Sequence, residues 1–166
     1  MKTNQIYFGG SRHPHNINPA QIAAVVAAVV ASGQAVHVGC QLGADRAVVL
    51  SCPPAALHVF AVLSVAHFAP PGAKVTRQAG GTSAPMPARY LLRSIAAFQG
   101  CSQAVFFSPG AGSLAVAREC VRSGLAVFAF GTLPARVPSV SGQWQASSFM
   151  GFPCYQWQVP TQAALF

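Results

Sequence analysis

The stretch Val36-His37-Val38-Gly39-Cys40-Gln41-Leu42-Gly43-Ala44-Asp45-Arg46-Ala47-Val48-Val49-Leu50 constrains the fold more than any other part of the chain. Its β-branched residues stop at Gly39 and a continuous apolar run resumes after Arg46, so it reads as a short buried strand, a turn with two glycines, and a helix starting near Ala44. The same strand, turn and helix rhythm recurs along the chain. Parallel neighbouring strands need crossover connections, so the rhythm specifies an α/β domain with a mainly parallel sheet.

Taken in order, residues 5–8 form a first strand that runs into Gly9-Gly10-Ser11-Arg12. Residues 20–32 form a helix: Asn18 suits its cap, Pro19 its first position and Gly33 its stop. That helix is apolar nearly all round, which predicts burial on more than one side. The strand at 35–38 and the helix at 44–52 follow, ended by Pro53-Pro54, and the apolar run 57–65 reads as a third strand.

Residues 69–87 read as irregular. A helix over 88–98 then carries Arg89 and Arg93 four apart, on one face. The strand at 103–107 enters Ser108-Pro109-Gly110-Ala111-Gly112-Ser113, a helix runs on to Ser123, and a strand at 125–130 closes the pattern. This predicts a sheet of about five strands over residues 1–132, with residues 133–166 as an irregular extension packed on the domain or on a partner subunit. Within the extension, Tyr155-Gln156-Trp157-Gln158-Val159 alternates and reads as either an added edge strand or a segment docked on another subunit.

Composition narrows the class of protein. With 52% hydrophobic and 7% charged residues and a mean hydropathy of +0.44, the missing charge must be missing from the surface, which predicts a homo-oligomer. The longest candidate membrane segment, 22–31, is shorter than the roughly 20 residues a span needs, so no membrane partner is expected. Met1-Lys2-Thr3-Asn4-Gln5 leads into a strand without the apolar core of a secretion signal. Five cysteines, widely spaced and without ligand-like spacing to histidine, read as reduced thiols in a cytoplasm.

Ten Lys and Arg stand against two acids, and eight of the ten are Arg, whose planar fork of donors suits phosphate. The net charge of +8 therefore points to an anionic partner, unless it only keeps an apolar protein soluble.

Three glycine-containing turns follow strands: Gly9 to Arg12, Gly39 to Arg46, and Pro109 to Ser113. In open α/β sheets, ligands bind beyond the carboxyl ends of the strands where strand order reverses, so the three turns are expected to face one crevice. Glycine lets backbone N–H groups approach an anion, and a following helix N-terminus adds partial positive charge.

Strand-Gly-Gly-Ser-Arg, strand-Gly-x-x-x-Gly-Ala-Asp-Arg-Ala, an Arg-bearing helix and strand-Ser-Pro-Gly-Ala-Gly-Ser together resemble the SLOG superfamily of Rossmann-like domains. That group includes the DprA/Smf DNA-processing proteins and the LOG-type phosphoribohydrolases. The resemblance covers residues 5–132 and implies a three-layer Rossmann-like fold and a pocket for a nucleotide or nucleotide-derived phosphorylated ligand, used as a sensor or accessory module. It implies that Gly10, Ser11, Gly43, Gly110, Gly112 and Ser113 cradle phosphate and that Arg12, Arg46 and Arg89 neutralise it. Asp45 would orient the first helix turn or a ribose hydroxyl.

Two alternatives use the same residues. The DprA/Smf branch implies a surface for single-stranded DNA. The LOG branch implies N-glycosidase activity, but its catalytic glutamate position falls on Val116 here, leaving Glu119, one helical turn later, as the weak catalytic candidate.

Plainer roles stand beside these. Asp45 suits a helix N-terminus in any protein, Glu119 can pair with Arg122 three residues on, and Cys40 reads as an inert thiol. His13-Pro14-His15 lacks the neighbours a metal site needs, so no metal and no required cofactor are expected. His37, His58 and His67 lie in or beside apolar runs and read as core or rim residues. The aromatic extension reads as core or subunit packing.

Overall fold

The computed structural model describes residues 4–161; Met1, Lys2 and Thr3, part of the segment read as lacking a secretion signal, and residues 162–166 of the predicted extension lie outside them. Strand β1 (Gln5–Gly10) pairs in parallel with β2 (Ala35–Gly39) on one side, with Ile6 opposite Val36 and Phe8 opposite Val38. From β2 the sheet continues through β3 (Leu57–Phe60) to an edge strand β4 (Lys74–Thr76). On its other side β1 pairs in parallel with β5 (Gln103–Phe107), which pairs with β6 (Ala126–Phe130). Strand β8 (Phe152–Gln158) then pairs antiparallel with β6 and with β7 (Gln143–Phe149), giving the order β4-β3-β2-β1-β5-β6-β8-β7.

The expected sheet of about five, mainly parallel strands is thus corrected to a mixed sheet of eight among the described residues. Three local causes account for the difference. The apolar run at 57–65 is a strand only to Phe60, because Ala61 turns back to pair its N–H with Thr76 O and its carbonyl with Ala79 N–H, and Leu63 and Val65 end up exposed. That turn recruits Lys74–Thr76 as β4 from a stretch read as irregular. The extension is a hairpin rather than irregular: Phe149 faces Phe152 across Met150 and Gly151, both at positive φ (51° and 83°), a two-residue turn without the usual Asn-Gly or Asp-Gly signature.

Among the described residues four α-helices cover the sheet. Helix α1 (Pro19–Ala31) starts where Asn18 Oδ1 accepts the Gln21 N–H at 3.2 Å. It buries Ile22, Val25, Val26 and Val29 in the core shared by the sheet and the following helix but exposes Ala23, Ala24 and Ala27, so one face stays open although the helix is apolar nearly all round. Alanine presents so little apolar surface that an outer face of it is tolerated, while each buried aliphatic contributes about 1.5–3 kcal/mol.

Helices α1 and α2 (Ala44–Ser51) pack with Ile6, Phe8, Val36, Val38, Val105 and Phe107 in one core. Helices α3 (Met86–Phe98) and α4 (Ala111–Arg122) share a second core with Tyr7, Ala104, Phe106 and Val127. Alternation along each strand separates the two cores, since neighbouring side chains point to opposite faces. Among the described residues no helix is long and apolar enough to cross a membrane.

Candidate functional site

The chain leaves β1 for β2 on one side while β5 lies on the other, so strand order reverses at the β1–β5 boundary. A cavity of about 790 Å³ opens there, at the carboxyl ends of both strands. Seven of the residues singled out from the sequence line it: Gly10, Ser11, Arg12, Asp45, Gly110, Gly112 and Ser113. The turns after β1 and β5 are tied together, because Ser11 N–H donates to Phe107 O at 3.0 Å and Ser113 Oγ donates to Gly10 O at 2.8 Å.

The turn after β2 joins the first by packing. Gly43 sits at φ +79° with its Cα pressed on the Ser11 and Arg12 backbone, where a Cβ would collide, and Ala44 N–H donates to Ser11 O at 2.9 Å. Gly43 thus braces the first turn and does not itself line the cavity. Helix α4 differs: Gly110 gives it no side-chain cap, and nothing crowds Gly110 or Gly112. Its first N–H groups, unpaired by helix geometry, belong to residues that line the cavity.

Two of the predicted cations lie elsewhere. The guanidinium of Arg46 lies over the Phe68 ring, 4.9 Å from its centroid. That of Arg89 binds backward along the chain, Nε to Ala84 O at 2.6 Å and Nη2 to Thr82 O, and so fastens the loop before α3. Glu119 is also outside the lining, paired with Arg118 at 2.8 Å and Arg122 at 3.0 Å. Val116, the residue at the hydrolase-branch glutamate position, does line the cavity.

Arg93 carries more of the site than its sequence position announced. It is 5% exposed, and its Nη1 lies 3.6 Å from Asp45 Oδ2 and 3.4 Å from Phe60 O, while Nε is buried without a protein partner. Gly39 makes room for it, because a Cβ there would fall on the guanidinium. Asp45 also accepts the Gln41 N–H at 3.2 Å. Burial raises the Asp45 pKa, opposed chiefly by Arg93 and further by the Gln41 N–H and Arg12. Burial likewise raises Tyr7, whose ring lines the same cavity, with Arg93 opposing. A useful sequence signal was the scarcity of acids: a lone Asp destined for burial needs a cation, and Arg93 is the helical arginine four residues from Arg89.

The remaining wall comes from α3, through Met86, Pro87, Tyr90 and Leu91, with Phe106 beneath. Tyr90 holds the Arg12 guanidinium 4.7 Å from its ring centroid. The cavity therefore combines one exposed arginine, one open helix N-terminus, one buried ion pair and an apolar wall. Among the described residues no group of three or more His, Cys, Asp or Glu side chains could hold a metal ion. Comparison with protein-family models, with curated proteins and with solved structures finds no match for this chain.

Proposed function

We propose that the protein binds a nucleotide or nucleotide-derived phosphorylated ligand in this cavity, in a Rossmann-like domain of SLOG type, and acts as a sensor or accessory module. The observation that carries the reading is the juxtaposition, in one cavity at the strand-order reversal, of the uncapped α4 N-terminus and the exposed Arg12. A phosphate there meets unpaired N–H groups, a helix end equivalent to about half a positive charge and a full guanidinium. The α3 residues Pro87, Tyr90 and Leu91, with Phe106, offer the apolar surface that the rest of such a ligand needs.

Binding is favoured over hydrolysis by two features. Val116 brings no carboxylate to the cavity, and the one carboxylate among the described residues of its lining, Asp45, is paired with Arg93.

Thermal melting against a panel of nucleotides tests the reading. A ligand present at a hundred times its Kd is expected to raise Tm by about 5–10 °C, and Arg12→Ala to lose most of that rise. No shift from any nucleotide, combined with salt-sensitive binding of a single-stranded oligonucleotide, would replace this reading with the DNA-binding one.

A further inference from the structure

Arg12 and Tyr90 reach the cavity from different elements, the turn after β1 and helix α3, and their side chains meet there. The Arg12 guanidinium carbon lies over the Tyr90 ring, and a guanidinium placed over a ring leaves N–H donors free for other partners. An arginine held this way can still grip two phosphate oxygens side by side. A lysine in its place would keep the charge and lose the paired donors.

The ring stands on a fastened support. Arg89, the residue before it, is bonded to the preceding loop, and Ser94 Oγ donates to Tyr90 O at 3.1 Å. One turn beyond Arg89, Arg93 reaches Asp45 at the base of the cavity. Arg12, in contrast, is exposed, and neither side-chain carboxylate of the protein forms an ion pair with it, because Asp45 is paired with Arg93 and Glu119 with Arg118 and Arg122. Among the described residues, the Tyr90 ring is therefore the side chain against which this long, exposed arginine rests, with the buried Asp45 carboxyl acting on it only from a distance.

We propose that Tyr90 is a positioning residue: its ring preorganises the Arg12 guanidinium for the phosphate, so that the cavity selects ligands bearing a phosphomonoester over the same ligands without one. This inference rests on the nucleotide-pocket reading above. It places selectivity in a pair of residues of which only Arg12 bears charge.

Calorimetric titration with four probes decides it: adenosine and guanosine 5′-monophosphates, and adenosine and guanosine themselves. The variants are Tyr90→Phe, Tyr90→Leu, Arg12→Ala and the double variant Tyr90→Leu/Arg12→Ala, each checked for a cooperative melt. Tyr90→Leu keeps side-chain bulk at the α3 wall while removing the π face. Tyr90→Phe is expected to bind like the wild type, and Tyr90→Leu to bind the monophosphates about threefold to tenfold more weakly with the nucleosides unchanged. The double variant is expected to be no weaker than Arg12→Ala, since removing the arginine leaves the ring nothing to position.

Wild-type affinity in Tyr90→Leu, equal losses in Tyr90→Phe and Tyr90→Leu, or an equal loss for the nucleosides would each overturn the pairing while leaving the pocket reading in place. Failure of all four probes to bind the wild type would overturn the pocket reading and this inference with it.

Discussion

Helices α2 and α4 each begin directly after a glycine turn at the carboxyl edge of the sheet, yet their first turns end in opposite conditions. At α2 the turn is sealed: Ala44 N–H is taken by Ser11 O, Gly43 lies flat on the Ser11–Arg12 backbone, and Asp45 is buried against Arg93. At α4 the turn is open: no side chain caps it, its glycines meet nothing, and its one hydroxyl, Ser113, points back to Gly10 O. Glycine serves close packing in the first case and access in the second. A glycine turn before a helix is therefore not one signal but two, and only the surroundings tell them apart.

The largest expected effect tests the sealed side. Burial outweighs Arg93, the Gln41 N–H and Arg12, so the folded pKa of Asp45 stands above the ordinary 3.8. A raised pKa means that the contribution of Asp45 to stability is fully present below that ordinary value and is lost as pH rises through the folded one. Arg93→Met keeps much of the stem's packing but removes the chief attraction that limits this loss. It is expected to cost about 3–5 kcal/mol at pH 7, and clearly less at pH 4, where the carboxyl more readily holds its proton. Urea denaturation at the two pH values measures this. An equal cost at both would mean that Arg93 acts by packing alone, and α2 would no longer be sealed by charge.

The second effect separates the two glycine turns directly. Gly43→Ala places a Cβ on the Ser11–Arg12 backbone and forces an L residue to φ +79°, which together predict a loss of about 2–4 kcal/mol. Denaturation midpoints at constant m-value read this out. A loss under about 0.5 kcal/mol, the range of an ordinary surface change, would show that the turn after β2 yields easily and does not brace the cavity.

Much of this arrangement was legible in the residues. The strand and helix rhythm located β1, β2, β5 and β6 and all four helices to within a few residues, because glycine and proline punctuate long apolar runs there. The three glycine turns were legible too, but not which was sealed, since that depends on the backbone of one turn lying on another. The hairpin escaped because Met150 opens its turn where Asn or Asp would have marked it, and β4 escaped because three residues, none of them buried, carry almost no pattern. From the sequence Arg46 was expected at the phosphate, while Arg93 had only its place on the same helix face as Arg89. Tertiary context sent Arg46 outward onto Phe68 and Arg93 inward to Asp45, through a space that exists only because residue 39 lacks a side chain.

The smallest effect on stability is the most informative for function. Gly112 lies in the first turn of α4 with nothing near the site of a Cβ and no positive φ, so Gly112→Ala meets no steric objection. Replacing a helical glycine with alanine reduces the backbone entropy lost on folding, and the fold is expected to gain up to about 0.5–1 kcal/mol. The added methyl stands beside N–H groups that line the cavity, so the same change is expected to weaken phosphate-bearing nucleotides while leaving the matching nucleosides unaffected. The sign of this prediction is its strength: a variant that is more stable and binds phosphate less well cannot be dismissed as misfolded. Should Gly112→Ala gain stability and keep wild-type affinity for the monophosphates, the open end of α4 would be no anion site, and the contrast between the two helices would reduce to one of packing.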